Sequence, residues 1–327
     1  MLKRIGTVLV ALCMSVILFS GCQKEPEKIM WIEDLEVYSD EYELYLNNEK
    51  LAISQATGLS YEEVKTQHMG GAEDSPTYEE QAAENAKSML LYNKMSEILY
   101  REYGLEKESE IESEAEKRFA NRVEWYGDEK TYTKLLKENG LSKDEQMDYF
   151  RAGARSKVVA DAVFGPGGEQ EISEKVITDD LRLNHYLIKP IILYKVDDLG
   201  NTLPNAQLEE KKRIYEEIRS KIEAGEPFDP LMEQYNEEPL TAEEKERGQL
   251  IGMLASGNDN LKAVLYNAED GPYIYSEDEV AYYVIQKLET DPNSDWQREQ
   301  AREERITKAF AEWIEEQLTQ TSYYFYI

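Results

Sequence analysis

The feature that most constrains this chain is a short break, Gly165-Pro166-Gly167-Gly168. No regular element runs through such a stretch. Proline lacks the backbone donor and fixes φ, while the glycines favour turns. Ile29 to Tyr38 looks extended, but from Ser39 to the break apolar residues recur only at helical spacing. Beyond it, strand-like and helix-like periods alternate. The break therefore predicts two differently built parts: an all-helical one over 39–168, and an α+β one with an antiparallel sheet over 180–290.

Caps mark the helices of the first part. Ser39 or Asp40 opens one that runs to about Thr57, with Leu44, Tyr45 and Leu51 on its apolar side and Gly58 at its end. Ser60-Tyr61-Glu62-Glu63, Thr77-Tyr78-Glu79-Glu80 and Ser142-Lys143-Asp144-Glu145 are capping boxes. The second box opens a long helix to about Tyr103, with Met89, Leu90, Met95, Ile98 and Leu99 as its stripe. A charged helix is expected over 106–126, with Ile111, Ala115, Phe119, Val123 and Trp125 inward, and a shorter one over 128–139. The third box starts a helix that reaches Phe164.

Beyond the break, 182–194 and 280–288 read as strands and 248–254 as a shorter one. Helices are expected over 206–224, where Ile214, Ile218 and Ile222 repeat every fourth residue, and over 228–235 and 260–268. The segment 294–327 begins with a long helix carrying Ile306, Phe310, Trp313 and Ile314 on one face. It ends in an apolar tail, Tyr323 to Ile327, that must find a partner surface.

The other end reads as an export signal over 1–21. Lys3 and Arg4 precede an apolar run, Ile5 to Phe19, that is short for a membrane span. Phe19-Ser20-Gly21-Cys22 reads as a bacterial lipobox, so Cys22 is expected to be lipidated and 22–38 to be a spacer. A plain signal peptide and an uncleaved anchor are the alternatives. Cys13 is a poor competitor because Leu12 precedes it. Lipidation of Cys22 would leave no thiol for a disulfide, a zinc site or a nucleophile.

The net charge is −30, from 67 acidic and 37 basic residues. Such a chain repels phosphate backbones, so no nucleic acid is expected as a partner. The acidic runs, such as Glu106 to Glu116, read as solvated helix faces, and His68 as a surface residue at a helix end. No metal-ligand spacing, phosphate loop or Ser-His-Asp set stands out, so neither metal nor cofactor is expected.

Three segments after the break carry a family resemblance. His185-Tyr186-Leu187-Ile188-Lys189 is followed by a helix ending in Ala224-Gly225, then by Phe228, Leu231 and Tyr235, and later by Ala281-Tyr282-Tyr283-Val284-Ile285. In this order they resemble the parvulin, or PpiC-type, peptidyl-prolyl isomerase domain over about 180–290. Tyr132 to Leu136, then Asn139-Gly140-Leu141-Ser142 and the helix after it, resemble the N-terminal domain of PrsA/SurA-type secretion foldases. That resemblance implies a parvulin-like unit inserted between an N-terminal helical chaperone domain and a C-terminal helix that packs back on it.

The same resemblance implies the site. Prolyl isomerisation needs no covalent step. A pocket that favours the twisted amide lowers a barrier of about 18–20 kcal/mol. Parvulins use two histidines and an Asp or Cys beside an apolar pocket. The implied catalytic set is His185, Tyr283 in place of the second histidine, and Glu238 from Asn236-Glu237-Glu238. Leu187, Leu250 and Leu261 are the implied substrate contacts, with Gly257 where the family has a large pocket residue. Tyrosine cannot reproduce an imidazole pair. Three readings of His185 therefore stand: a catalytic group, a hydrogen-bonded core histidine, or a sheet residue in an unrelated domain.

The resulting expectation is a foldase or chaperone, lipid-anchored on the extracytoplasmic face of the cell membrane, with a degenerate isomerase domain. Its partners would be unfolded or extended secreted polypeptides and the membrane itself, with a homodimer among the assemblies considered. The alternative is a surface lipoprotein that binds clients or peptides without catalysis.

Overall fold

The computed structural model describes residues 26–69, 74–197, 201–253, 259–268 and 271–326. The signal segment 1–21, Cys22, Gly70-Gly71 and Gly257 lie outside the described residues. The chain divides into two compact units, one of residues up to 43 with those from 322 onward, the other of residues 44–321.

The first unit is a three-stranded antiparallel sheet in the order β2-β1-β7. Its hairpin joins β1 (Lys28–Ile32) to β2 (Leu35–Tyr38) through Glu33 and Asp34, with Glu33 at φ 49°. The apolar C-terminal tail finds its partner here. β7 (Tyr323–Phe325) pairs with β1, setting Trp31 opposite Tyr324 and Met30 opposite Phe325. Met30 and Ile32 are fully buried, while Trp31, Tyr324 and Tyr326 remain exposed.

In the second unit the helical stretch follows its caps. The helices are α1 (Ser39–Thr57, which begins in the first unit), α2 (Tyr61–Val64), α3 (Tyr78–Glu102), α4 (Glu108–Trp125), α5 (Glu129–Glu138) and α6 (Lys143–Phe164). The boxes at Ser60, Thr77 and Ser142 are all formed. α6 packs between α3 and α4. Leu51, Phe119, Tyr132, Leu136, Met147 and Phe150 share one core, and the Ser156 hydroxyl donates to Asn93 Oδ1 at 3.1 Å inside the bundle. Trp125, expected inward, is instead 67% exposed.

The break at Gly165 ends α6. The next element is a helix, α7 (Glu174–Asn184), capped by Ser173. The strand expected from Arg182 therefore starts three residues later, at His185. Arg182 to Asn184 form the last turn of α7, whose buried side chains are Ile177, Asp180 and Leu181.

β3 (His185–Tyr194) is central in a four-stranded antiparallel sheet ordered β4-β3-β6-β5. The others are β4 (Gln249–Gly252), β5 (Tyr273–Glu277) and β6 (Ala281–Leu288). Four helices accompany them: α8 (Asn205–Glu223), α9 (Phe228–Tyr235), α10 (Ala242–Arg247) and α11 (Asp259–Tyr266). β3 is apolar on both faces because both are covered. Ile191 and Leu193 face the cluster built from α8 and α9, whereas Ile188 and Ile192 face the one built with α11.

The last helix, α12 (Asp295–Gln320), packs on α3, α6, α7 and β4. Its Phe310 meets Tyr92 edge-on at 5.7 Å, and Trp313 meets Phe164 at 5.9 Å.

Candidate functional site

Strand parity decides what can meet what. Residues directly opposite in an antiparallel pair share a face, and neighbours along a strand alternate. Tyr283 lies opposite Ile192, so it belongs to the even-numbered face of β3. His185 and Leu187 belong to the odd-numbered face, opposite Gly252 and Leu250. The six residues implied by resemblance therefore fall into two groups of three. Tyr283, Glu238 and Leu261 line one cavity. His185, Leu187 and Leu250 lie on the other face of the sheet.

The cavity holds about 410 Å³. Ile192, Leu261 and Val280 give it apolar walls, with Tyr194, Tyr283, Glu238 and Gln249 around them. Two turns position its phenols. Asp278 closes the β5–β6 hairpin, its Oδ1 accepting from the Val280 and Ala281 amides at 2.7 and 2.8 Å. Its Oδ2 accepts from the Tyr283 hydroxyl at 3.0 Å. On the other side, Asn236 to Glu238 run along the edge of β3 beyond the reach of β4. Asn236 Oδ1 accepts from the Ile192 amide at 2.9 Å, and Glu237 Oε2 from the Tyr194 amide at 2.9 Å. That latch brings the Glu238 carboxylate to the Tyr194 hydroxyl, which donates to it.

Both phenols titrate well above their ordinary value. Burial is the main cause, and the carboxylate each one donates to adds to it. Each therefore keeps its proton and commits it to a neighbouring carboxylate. What the phenols leave for an occupant is lone pairs, so the cavity offers apolar walls and acceptors, with the Asn260 and Gln249 amides at its lining.

His185 has a different setting. Its side chain is 1% exposed. Nε2 lies 3.1 Å from Glu304 Oε2, and Nδ1 lies 3.2 Å from the Asp180 carbonyl and 3.8 Å from its carboxylate. Burial pulls its pKa down, but the Glu304 hydrogen bond, the Asp180 carbonyl and the two negative charges outweigh this, so it is raised. This is the environment of a hydrogen-bonded core histidine joining β3 to α7 and α12. Leu187 and Leu250 pack nearby with Ile177, Leu181 and Ala301.

Sequence reasoning missed Tyr194, Asp278, Asp180 and Glu304. Only Tyr194 carried a local signal, since it sits two residues beyond Ile192 on the same strand face.

The chain is thus an α+β protein: a helical bundle, an antiparallel sheet with its covering helices, and a long C-terminal helix that touches both. Among solved structures it is similar to the foldase protein PrsA from Streptococcus pneumoniae, with 16% identity and a TM-score of 0.41 over 71% of this chain and 81% of that one. It is also similar to PrsA from Bacillus subtilis, with 15% identity and a TM-score of 0.34 over 78% and 93%. The foldase protein PrsA from Lactococcus lactis matches at 10% identity and 0.34 over 86% of each chain. No family model and no curated protein matches the sequence. Among the described residues no helix is long and apolar enough to cross a membrane.

Proposed function

We propose that this chain is an extracytoplasmic foldase of the chaperone kind, tethered by a lipid on Cys22, that holds unfolded or extended secreted polypeptides. The helices before Gly165, together with α12, form its client-holding part. The α+β part binds a proline-containing or extended segment without catalysing isomerisation. One observation carries this reading. The cavity that contains Tyr283 and Glu238 has apolar walls and spare acceptors, yet both phenolic protons are committed and His185 faces away from it. Such a cavity suits an apolar ring flanked by backbone N–H donors. Its phenols and His185 offer no donor to a twisted amide, and among the described residues the donors left in its lining are the Asn260 and Gln249 side-chain amides.

A protease-coupled assay on a short proline peptide tests the absence of catalysis, alongside aggregation of a denatured client. No acceleration is expected at micromolar protein, with aggregation suppressed. Unsuppressed aggregation would sink the holding role. Acceleration that survives His185→Gln but is lost in Tyr283→Phe would instead make the cavity an active isomerase site.

The tether has its own test. Cys22→Ser should move the protein from the membrane fraction to the medium and abolish its labelling by radioactive palmitate. Palmitate labelling that is absent in the wild type, or that persists in Cys22→Ser, would rule out the lipid on Cys22.

A further inference from the structure

A second and larger cavity, of about 1000 Å³, opens among the ends of α1, α4 and α5. Large apolar surface stands at it. Trp125 is 67% exposed and Leu59 37%, with Tyr126 and Leu135 further in. Four charged side chains also line it, and their pairing is uneven. Glu62 is engaged by Lys65 at 2.6 Å and Glu138 by Lys134 at 3.5 Å. The two cations have no such relief. Lys50 donates only to Asn47 Oδ1 at 3.0 Å and lies 5.8 Å from the centre of the Tyr61 ring. Among the described residues, neither Lys50 nor Arg122 has a carboxylate within ion-pair distance.

In a chain with 67 acidic residues, this cavity is lined by as many cations as carboxylates, and only its carboxylates have ion-pair partners. Arg122 lies in the last turn of α4, and the nearby helix-end carbonyls have other donors. The Tyr126 amide closes on the Arg122 carbonyl at 3.0 Å, and Asn139 Nδ2 donates to the Leu135 carbonyl at 2.9 Å.

We infer that this cavity is a docking site for an extended polypeptide segment in which a large apolar side chain stands beside a carboxylate. The apolar side chain packs on Trp125 and Leu59, and the carboxylate pairs with Lys50 and Arg122. This rests on the client-holding reading above and narrows it. The chain's overall charge draws basic segments, whereas this cavity selects acidic ones.

Fluorescence anisotropy on the full chain in detergent tests the inference with two labelled peptides, one alternating Phe and Asp, the other alternating Phe and Lys. The acidic peptide should bind about tenfold more tightly, as two exposed charge pairs allow. The preference should shrink in high salt. Lys50→Gln with Arg122→Gln should abolish it, and Trp125→Ala should weaken both peptides. If the double variant does not fold, Arg122→Gln alone carries the test, because Arg122 is exposed. Equal or tighter binding of the lysine peptide, or a preference intact in the charge variants, overturns the inference. If neither peptide binds while aggregation of a client is still suppressed, this site fails and the foldase reading stands. If aggregation is not suppressed either, both fail.

Discussion

Replacing His185 by alanine is expected to destabilise the protein by about 3 kcal/mol, the lower end for removing one partner of a buried charge pair. The loss has three sources. The ring leaves a cavity under the sheet. Glu304 loses its partner at 3.1 Å. Asp180, whose buried Oδ2 already lacks a hydrogen bond, is left with only Asn184 at 2.8 Å and Arg305 at 3.7 Å to offset its charge. Gln300 holds the other Glu304 oxygen at 3.0 Å, so the carboxylate cannot easily turn away.

The same cluster sets a pH dependence. The folded-state pKa of His185 is raised above its ordinary 6.5. Its stabilisation is then complete below about pH 6.5, where folded and unfolded states are both protonated, and is lost as pH climbs through the folded value. Thermal melts of the wild type should fall in Tm across this window. His185→Gln, which cannot titrate, should lose that component. A wild-type Tm that rises with pH over the same range would contradict the assignment.

Gly168→Ala should cost about 3 kcal/mol, as overpacking against a fixed neighbour does. A methyl at Gly168 would sit 2.4 Å from the Val163 carbonyl oxygen and 2.6 Å from its carbon. Neither can yield, because the Gln170 amide is bonded to that oxygen at 2.9 Å and the Ile172 amide to the Phe164 carbonyl at 2.9 Å. Gly167 is the control. It has φ +84° but open space around it, so Gly167→Ala should cost only about 1 kcal/mol of backbone strain. Denaturant midpoints of the two variants give the order directly. A larger loss at Gly167 would mean that backbone strain, rather than close approach, governs the break.

Much of the helical part was legible because its signals are local. Ser60, Thr77 and Ser142 each declare a helix start within four residues. The box Thr241-Ala242-Glu243-Glu244 carries the same signature, and it too is formed. α7 was hidden for a different reason. Its buried Ile177 and Leu181 make only one helical repeat, and Leu183 looks like the start of the strand that follows.

The site was less legible, because it depends on pairing. β3 is apolar on both faces, so alternation along it does not say which side His185 takes. That information lies in the register with β6, where Ile192 meets Tyr283. Glu304 stands 119 residues from His185, and no spacing in the sequence links them. Resemblance grouped Tyr283, Glu238 and His185 in one site; the first two share a cavity, whereas the alternation of the strand puts His185 on the other face.

The pairing of β7 with β1 has a consequence for the order of assembly. The Ser322 amide reaches Glu33 Oε1 across 289 residues of chain. Closing so long a loop is entropically costly until the intervening chain has folded and brought its ends together. On a chain that emerges from its N-terminus, β1 must wait for β7, which follows it by almost the whole second unit. The stretch 22–38, expected to be a spacer, thus supplies β1 and β2, and their sheet is expected to close only after the intervening chain has folded.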